Sequence, residues 1–184
     1  VAPAGIFLKH YYSKVNPKFD LESFVEQSLK YWNNYYEEVF KSSKITNMIS
    51  KGNMINLFKG DYVNSACYDL ESKIIESGIL NCIVHEKKNF SHGRFINYEN
   101  LDNKNTIYFK QKSTSKYEEK LLNYLKAGNN LIIESNYDGL LCEFDLLLAT
   151  QLLIYYIGKT LNVDVSKPKY SEDSMDIYFY KGEL

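Results

Sequence analysis

Three ionisable residues, Asp69, Lys73 and Glu76, recur at steps of four and three, the spacing that stacks side chains along one strip of a helix. On a wheel of about 100° per residue they fall within about 60° of one another. They border an apolar face made by Val63, Ala66, Cys67, Leu70 and Ile74. At the border between core and solvent such a strip can project into a cleft, where a carboxylate beside an ammonium acts as a tuned base. The same spacing also describes a solvated Asp69–Lys73 pair worth roughly 0.3 kcal/mol. Two flanking segments could complete a site. Lys59-Gly60-Asp61-Tyr62 precedes the helix; its glycine would let backbone approach a ligand, and the helix N-terminus that follows favours an anion. An ordinary strand-to-helix turn has the same composition. Asn89-Phe90-Ser91-His92-Gly93-Arg94 reads as a polar loop that joins an imidazole to a glycine. His10 and His85 have no supporting pattern and are read as structural.

The elements that must position these groups follow from periodicity. Asn53 to Phe58 is a short apolar run leading into the Gly60 loop, and Val63 to Ser77 is helical, closed by Gly78. Leu80 to Val84, Thr106 to Phe109 and Leu131 to Ile133 are further short β-prone runs. Ser115 with Glu118 three residues on forms a capping box for a helix ending near Ala127 and Gly128. Glu143 to Leu161 is a long apolar helix. Its most apolar part, Leu146 to Ile157, is interrupted by Gln151 and reads as a core helix too short for a bilayer. Short buried strands alternating with helices predict a three-layer α/β/α sandwich with a mostly parallel sheet of four to five strands. Ahead of it, Ala4 to Ser13 forms a short helix broken by Asn16-Pro17. Asp20 then caps an amphipathic helix from Leu21 to Phe40 whose Trp32, Tyr35, Tyr36 and Phe40 make a core or subunit-interface stripe. Residues 1–50 thus form a helical segment, residues 51–184 the sheet domain, and the tail from Val163 runs extended over the surface.

Composition removes several function classes. Twenty-two Lys plus Arg against 23 Asp plus Glu give a net charge of −1, which offers no electrostatic reason to bind nucleic acid or an anionic membrane. Seventeen Tyr and 10 Phe, with many Lys, Asn and Ile, fit AT-rich coding better than an aromatic binding function. Cys67, Cys82 and Cys142 show no metal or disulfide spacing, so they read as free thiols of a cytoplasmic protein with no metal. No cofactor motif is present. The chain starts at Val1 without an initiator Met, which points to a piece of a longer protein.

Lys59-Gly60-Asp61-Tyr62, the Asp69-x-x-x-Lys73-x-x-Glu76 helix and His92-Gly93 sixteen residues after Glu76 together resemble the second half of a tandem sugar isomerase (SIS) module. The nearest enzymatic pattern is the isomerase part of glucosamine-fructose-6-phosphate aminotransferase. Phe144 to Ile157 followed by Asn162-Val163-Asp164-Val165-Ser166-Lys167-Pro168 resembles that family's last helix and its Asp-x-x-x-Pro exit. Val1-Ala2-Pro3-Ala4 resembles the strand end and loop that close the first half. The resemblance implies a phosphorylated-sugar ligand and aldose–ketose isomerase or deaminase-type chemistry, with Glu76 as the base at C1 and C2 of the open-chain sugar. Lys73 would offset developing charge and His92 would assist ring opening from across a subunit interface. Gly60, Asp61, Asp69 and Arg94 would line the substrate. It implies as partner a preceding SIS half or a second subunit, in a homo-oligomer. The sequence departs from the family at Arg94, where Pro is usual, at Asp69, where Glu is usual, and at Pro3-Ala4, where Ser-Thr is usual. The family's tail Lys has no counterpart at Ser171-Glu172-Asp173, and its Ser/Thr-rich phosphate loops belong to the first half. A non-catalytic phosphosugar sensor or a dimerisation domain is the alternative.

Overall fold

Alternation of side chains along four short strands sets the layers of the computed structural model, which describes residues 2–15, 18–61, 63–169 and 171–178. Strands β1 (Met54–Lys59), β2 (Asn81–His85), β3 (Asn105–Lys110) and β4 (Asn129–Glu134) pair in parallel in the order β2-β1-β3-β4. Ile55, Leu57, Ile107, Phe109, Leu131 and Ile133 point to one face. There they meet Trp32 and Tyr36 of α2 (Leu21–Val39), Leu70 and Ile74 of α4 (Ser65–Glu76), and Leu146 and Leu153 of α8 (Gly139–Leu161). Phe58 and Tyr108 point to the opposite face, where Phe90, Tyr98 of α6 (Phe95–Glu99) and Leu121 and Leu125 of α7 (Lys116–Leu125) cover them. The result is the expected α/β/α sandwich, with four strands. A smaller cluster ties Leu8 of α1 (Ala2–Val15) to Phe24, Phe144 and Leu148.

The observed helix α4 starts two residues later than expected, at Ser65, but its buried face holds: Ala66, Cys67, Leu70 and Ile74 are fully covered, as is Val63 just before it, and Gly78 ends it with a φ of 63°. Asp20 caps α2 by accepting from the amides of Glu22 and Ser23. Two rings of the aromatic stripe of α2 belong to the core, while Tyr35 and Phe40 are half-buried at its edge. Trp32 and Tyr36 are fully buried, Trp32 Nε1 donates to Asp145 Oδ1 at 2.9 Å, and Tyr36 packs on Tyr156.

Several expectations are corrected. The segment expected as a polar loop, Asn89 to Arg94, is helical: α5 (Lys87–Asn89) runs through a wide turn, Phe90–Arg94, into α6, with a kink at His92 and Gly93, whose φ is 130°. Phe90 drives this, because its ring is buried 4.8 Å from Phe58 and 5.7 Å from Tyr98, and burying it pulls the flanking polar residues into a turn of helix. A short helix α3 (Ser43–Met48), unforeseen from sequence, buries Ile45 and Met48. Ala2-Pro3-Ala4 lie inside α1, so no strand end or loop stands there, and Val1 lies outside the described residues. So do Asn16-Pro17 and Tyr62. The tail is not extended throughout, since Glu172–Tyr178 forms α9. The capping box is half made: Ser115 Oγ accepts from the Glu118 amide, but the Glu118 side chain turns inward. Helix α8 has 23 residues and is long and apolar enough to cross a membrane. It is identified as a core helix by burial, with Leu146, Ala149, Leu153 and Ile157 covered by the sheet and its helices, and not by length.

Candidate functional site

Helix α4 separates the sequence candidates into two groups. Its twelve residues, at about 1.5 Å each, put Glu76 roughly 16 Å from Ser65. Gly60 and Asp61 follow β1 and His92 and Arg94 follow β2, so these four sit at the C-terminal edge of the sheet. Lys73 and Glu76 precede β2 and sit at the N-terminal edge, with Asp69 one turn above them. Within one chain, Glu76 and His92 therefore do not share a cleft.

At the N-terminal edge, Lys73, Glu76 and Ser77 of α4 face Gln151 and Ile154 of α8 across a depression of about 420 Å³, closed by Val165, Ser166 and Pro168 of the segment leaving α8. Asp69 organises it: one oxygen pairs with Lys73 Nζ, and the other accepts from Gln151 Nε2 at 2.7 Å. Lys73 is thereby held with about a third of its side chain open to solvent. Glu76 is exposed, and Ser72 Oγ donates to its Oε1 at 2.5 Å. The exit segment lies tight on α8 because Gly158 is there; a Cβ would stand 2.9 Å from Val165 Cγ1 and 3.0 Å from Val163 O. Asp164 folds the segment over by accepting from the amide and hydroxyl of Ser166, bonds that hold its carboxyl below the usual range. An accessible carboxylate with an oriented ammonium one turn away can take a proton from carbon and screen the charge that forms. Gln151 was visible in the sequence only as a polar break in an apolar run, and its partner Asp69 lies 82 residues away.

At the C-terminal edge, four charges next to the Gly60 loop pair with one another. Asp61 Oδ1 pairs with Lys87 Nζ at 2.7 Å, and Lys59 Nζ pairs with Glu86 Oε1 at 2.9 Å. Those bonds to Lys59 and one from Tyr68 hold the Glu86 carboxyl below its ordinary range. The anion at the N-terminus of α4 is the chain's own: the amides of Asn64 and Ser65 donate to the two oxygens of Glu143 at 2.7 and 3.2 Å. Burial raises the Glu143 pKa, and these two bonds oppose the rise. Gly60 serves packing. A Cβ there would lie 2.5 Å from Glu118 Oε1 and 2.8 Å from Phe109 O, so the glycine lets β1's loop close over Glu118, which is fully buried and accepts from Tyr108 OH at 2.9 Å. This is the ordinary strand-to-helix turn that the sequence also allowed, with the glycine required by close packing. His92 is exposed at the kink, and Arg94 Nη1 reaches Val84 O at 3.4 Å. His85 is a core residue stacked on Phe58, and burial, with a smaller push from Arg94, lowers its pKa to about 4.

No family model matches the sequence, and no curated protein matches it. Solved structures do share its fold. A candidate phosphosugar isomerase of Clostridium difficile 630 superposes with a TM-score of 0.62 at 20% identity, over 92% of this chain and 50% of that one. Glucosamine-6-phosphate deaminase of Thermotoga maritima gives 0.61 at 16%, over 87% and 51%. A candidate phosphosugar isomerase of Bacillus subtilis gives 0.60 at 14%, over 82% and 48%. The chain thus has an SIS-like fold and spans about half the length of the structures it matches.

Proposed function

We propose that this chain is the C-terminal SIS half of a phosphosugar-binding protein with aldose–ketose isomerase or deaminase-type chemistry. The observation that carries the reading is the depression at the N-terminal edge. It gathers Lys73 and Glu76, and the exit segment that the sequence pattern linked to them, around an open carboxylate. In this reading residues 51–184 form the SIS domain, and residues 1–50 connect it to a preceding half or second subunit. Glu76 moves the proton between C1 and C2, and Lys73, fixed by Asp69 and Gln151, stabilises the enediolate. His92 stands at the other edge of its own chain, so its part in ring opening requires that it reach a site in a neighbouring half or subunit. Gly60, Asp61 and Arg94, on that same edge, would meet substrate by the same route.

Incubating the full-length gene product with hexose and hexosamine 6-phosphates in deuterated water tests this. Deuterium enters at C1 or C2 in the wild type. Glu76→Gln abolishes the exchange while keeping phosphosugar affinity within about tenfold, because only the base is lost. Tight phosphosugar binding without any deuterium uptake would replace the enzyme by a non-catalytic sensor.

A further inference from the structure

Beyond the end of β4, away from the Gly60 loop, a hollow of about 180 Å³ opens between α2 and the segment that joins β4 to α8. Gln27, Tyr31 and Asn136 are exposed at its mouth, and Ser28 and Asp145 are buried at its floor, 3% and 2% exposed. The floor is held from both sides. Asp145 Oδ1 accepts from Trp32 Nε1 at 2.9 Å, and Oδ2 accepts from Ser135 Oγ at 2.6 Å. The Ser135 oxygen in turn accepts from the Tyr137 amide at 3.1 Å, which leaves its proton for Asp145. Both donors to the carboxylate are neutral. Among the described residues no Lys, Arg or His forms an ion pair with it. Its charge reaches its neighbours: burial first, and then Asp145, raises the Tyr137 pKa. A buried carboxylate without a counter-charge is unfavourable, so a cation that enters beside it is correspondingly favoured.

The rest of the lining supplies acceptors and rings. Ser28 Oγ is buried with no hydrogen-bond partner among the described residues. Gln27 gives its amide nitrogen to Ser23 Oγ at 2.8 Å, which leaves its carbonyl oxygen for the hollow. Each Asp145 oxygen has accepted one bond and keeps a further lone pair. Tyr31 and Tyr137 add aromatic side chains, whose ring faces attract cations. The volume is below the roughly 300 Å³ at which pockets for larger ligands begin. No group of three metal-ligating side chains occurs among the described residues, so the floor offers a divalent cation too few ligands. We infer that this hollow binds a small protonated primary amine. Its ammonium sits against Asp145, and Ser28 and Gln27 accept its other N–H bonds. Three directed donors then meet three acceptors, and one positive charge meets one negative charge. The inference stands independently of the phosphosugar reading.

The Trp32 indole N–H, bonded to Asp145, reports on the site directly. Nitrogen-15-labelled full-length gene product is titrated with methylammonium, tetramethylammonium and potassium chlorides at constant ionic strength, and the Trp32 indole resonance is followed. Methylammonium should displace it saturably. Tetramethylammonium and potassium, with the same charge and no N–H, should not. Asp145→Asn keeps an oxygen for Trp32 and a polar partner for Ser135, and should weaken methylammonium binding by about tenfold or more. Ser28→Ala leaves the carboxylate and its two donors untouched and should weaken it about fivefold; it keeps the test decisive where Asp145→Asn fails to fold. Potassium acting at the same concentration as methylammonium overturns the amine assignment. A response that does not saturate, or one that persists unchanged in Ser28→Ala, overturns the site.

Discussion

At the C-terminal edge of the sheet Lys87 faces Asp61, Lys59 faces Glu86, and the Glu143 carboxylate fills the first amides of α4. At the N-terminal edge Glu76 keeps only the Ser72 hydroxyl, and Lys51 and Lys169 keep no partner among the described residues. In open parallel sheets ligands usually meet the C-terminal edge. Here Lys59, Asp61, Glu86 and Lys87 are spent on one another, with Arg94 left outside these pairs, and a group already paired has little left to offer a ligand without first losing its partner. The opposite edge contributes less to stability and has more capacity for recognition. Position in the fold and availability of charge are separate criteria, and in this chain they point to different places.

The largest expected effect tests how tightly the C-terminal edge interlocks. Gly60→Ala drives a methyl group against Glu118 Oε1 and the Phe109 carbonyl, and backbone cannot yield as a side-chain tip can; a loss of about 3 kcal/mol is expected by chemical denaturation. Gly78→Ala, at the other edge, meets open space and suffers only its φ of 63°, costing about 1 kcal/mol. Equal losses would break the comparison.

Acid sharpens it next. Because the folded pKa of His85 lies near 4, below the ordinary value of about 6.5, the unfolded chain binds the proton first. The stabilisation is complete above about pH 6.5 and is lost as pH falls toward 4, a contribution of about 3 kcal/mol. Urea midpoints of His85→Gln, followed over that range, should show a shallower decline than wild type. Identical slopes would remove His85 as the cause.

The smallest effects compare two carboxylates directly. Glu143→Gln weakens the cap on α4 and should cost about 1 kcal/mol, with the amide resonances of Asn64 and Ser65 displaced. Glu76→Gln, exposed at the open edge, should stay within about 0.5 kcal/mol of wild type. A reversal of that order would mean that the Glu76 carboxylate is structural.

Local pattern carried the scaffold well. Each strand was expected within one or two residues of its observed bounds, because parallel buried strands announce themselves as apolar runs. The Asp69, Lys73 and Glu76 strip was equally legible, since helical spacing alone places them together. What failed was long-range. Phe90 looks like one ring in a polar loop until Phe58 and Tyr98 are known to wait beneath it. Glu143 reads as the start of an apolar helix, and only the fold brings it to amides 78 and 79 residues earlier. Close approach at Gly60 was legible from the glycine itself, but its neighbours Glu118 and Phe109 were not.

Helix α8 also bears on how the chain is made. As it leaves the ribosome, a 23-residue apolar helix is a hazard, since nascent apolar surface attracts aggregation partners before it attracts its own core. Here the elements that bury most of it, α1, α2, α4 and the strands, are encoded upstream, and only the exit segment around Val165 follows, so vectorial synthesis delivers most of the cover before the helix. A circular permutant that opens the chain between β4 and α8, and so translates α8 first, would keep the same folded contacts and lose that protection. Its soluble yield should fall on synthesis while refolding of the purified chain from urea remains intact.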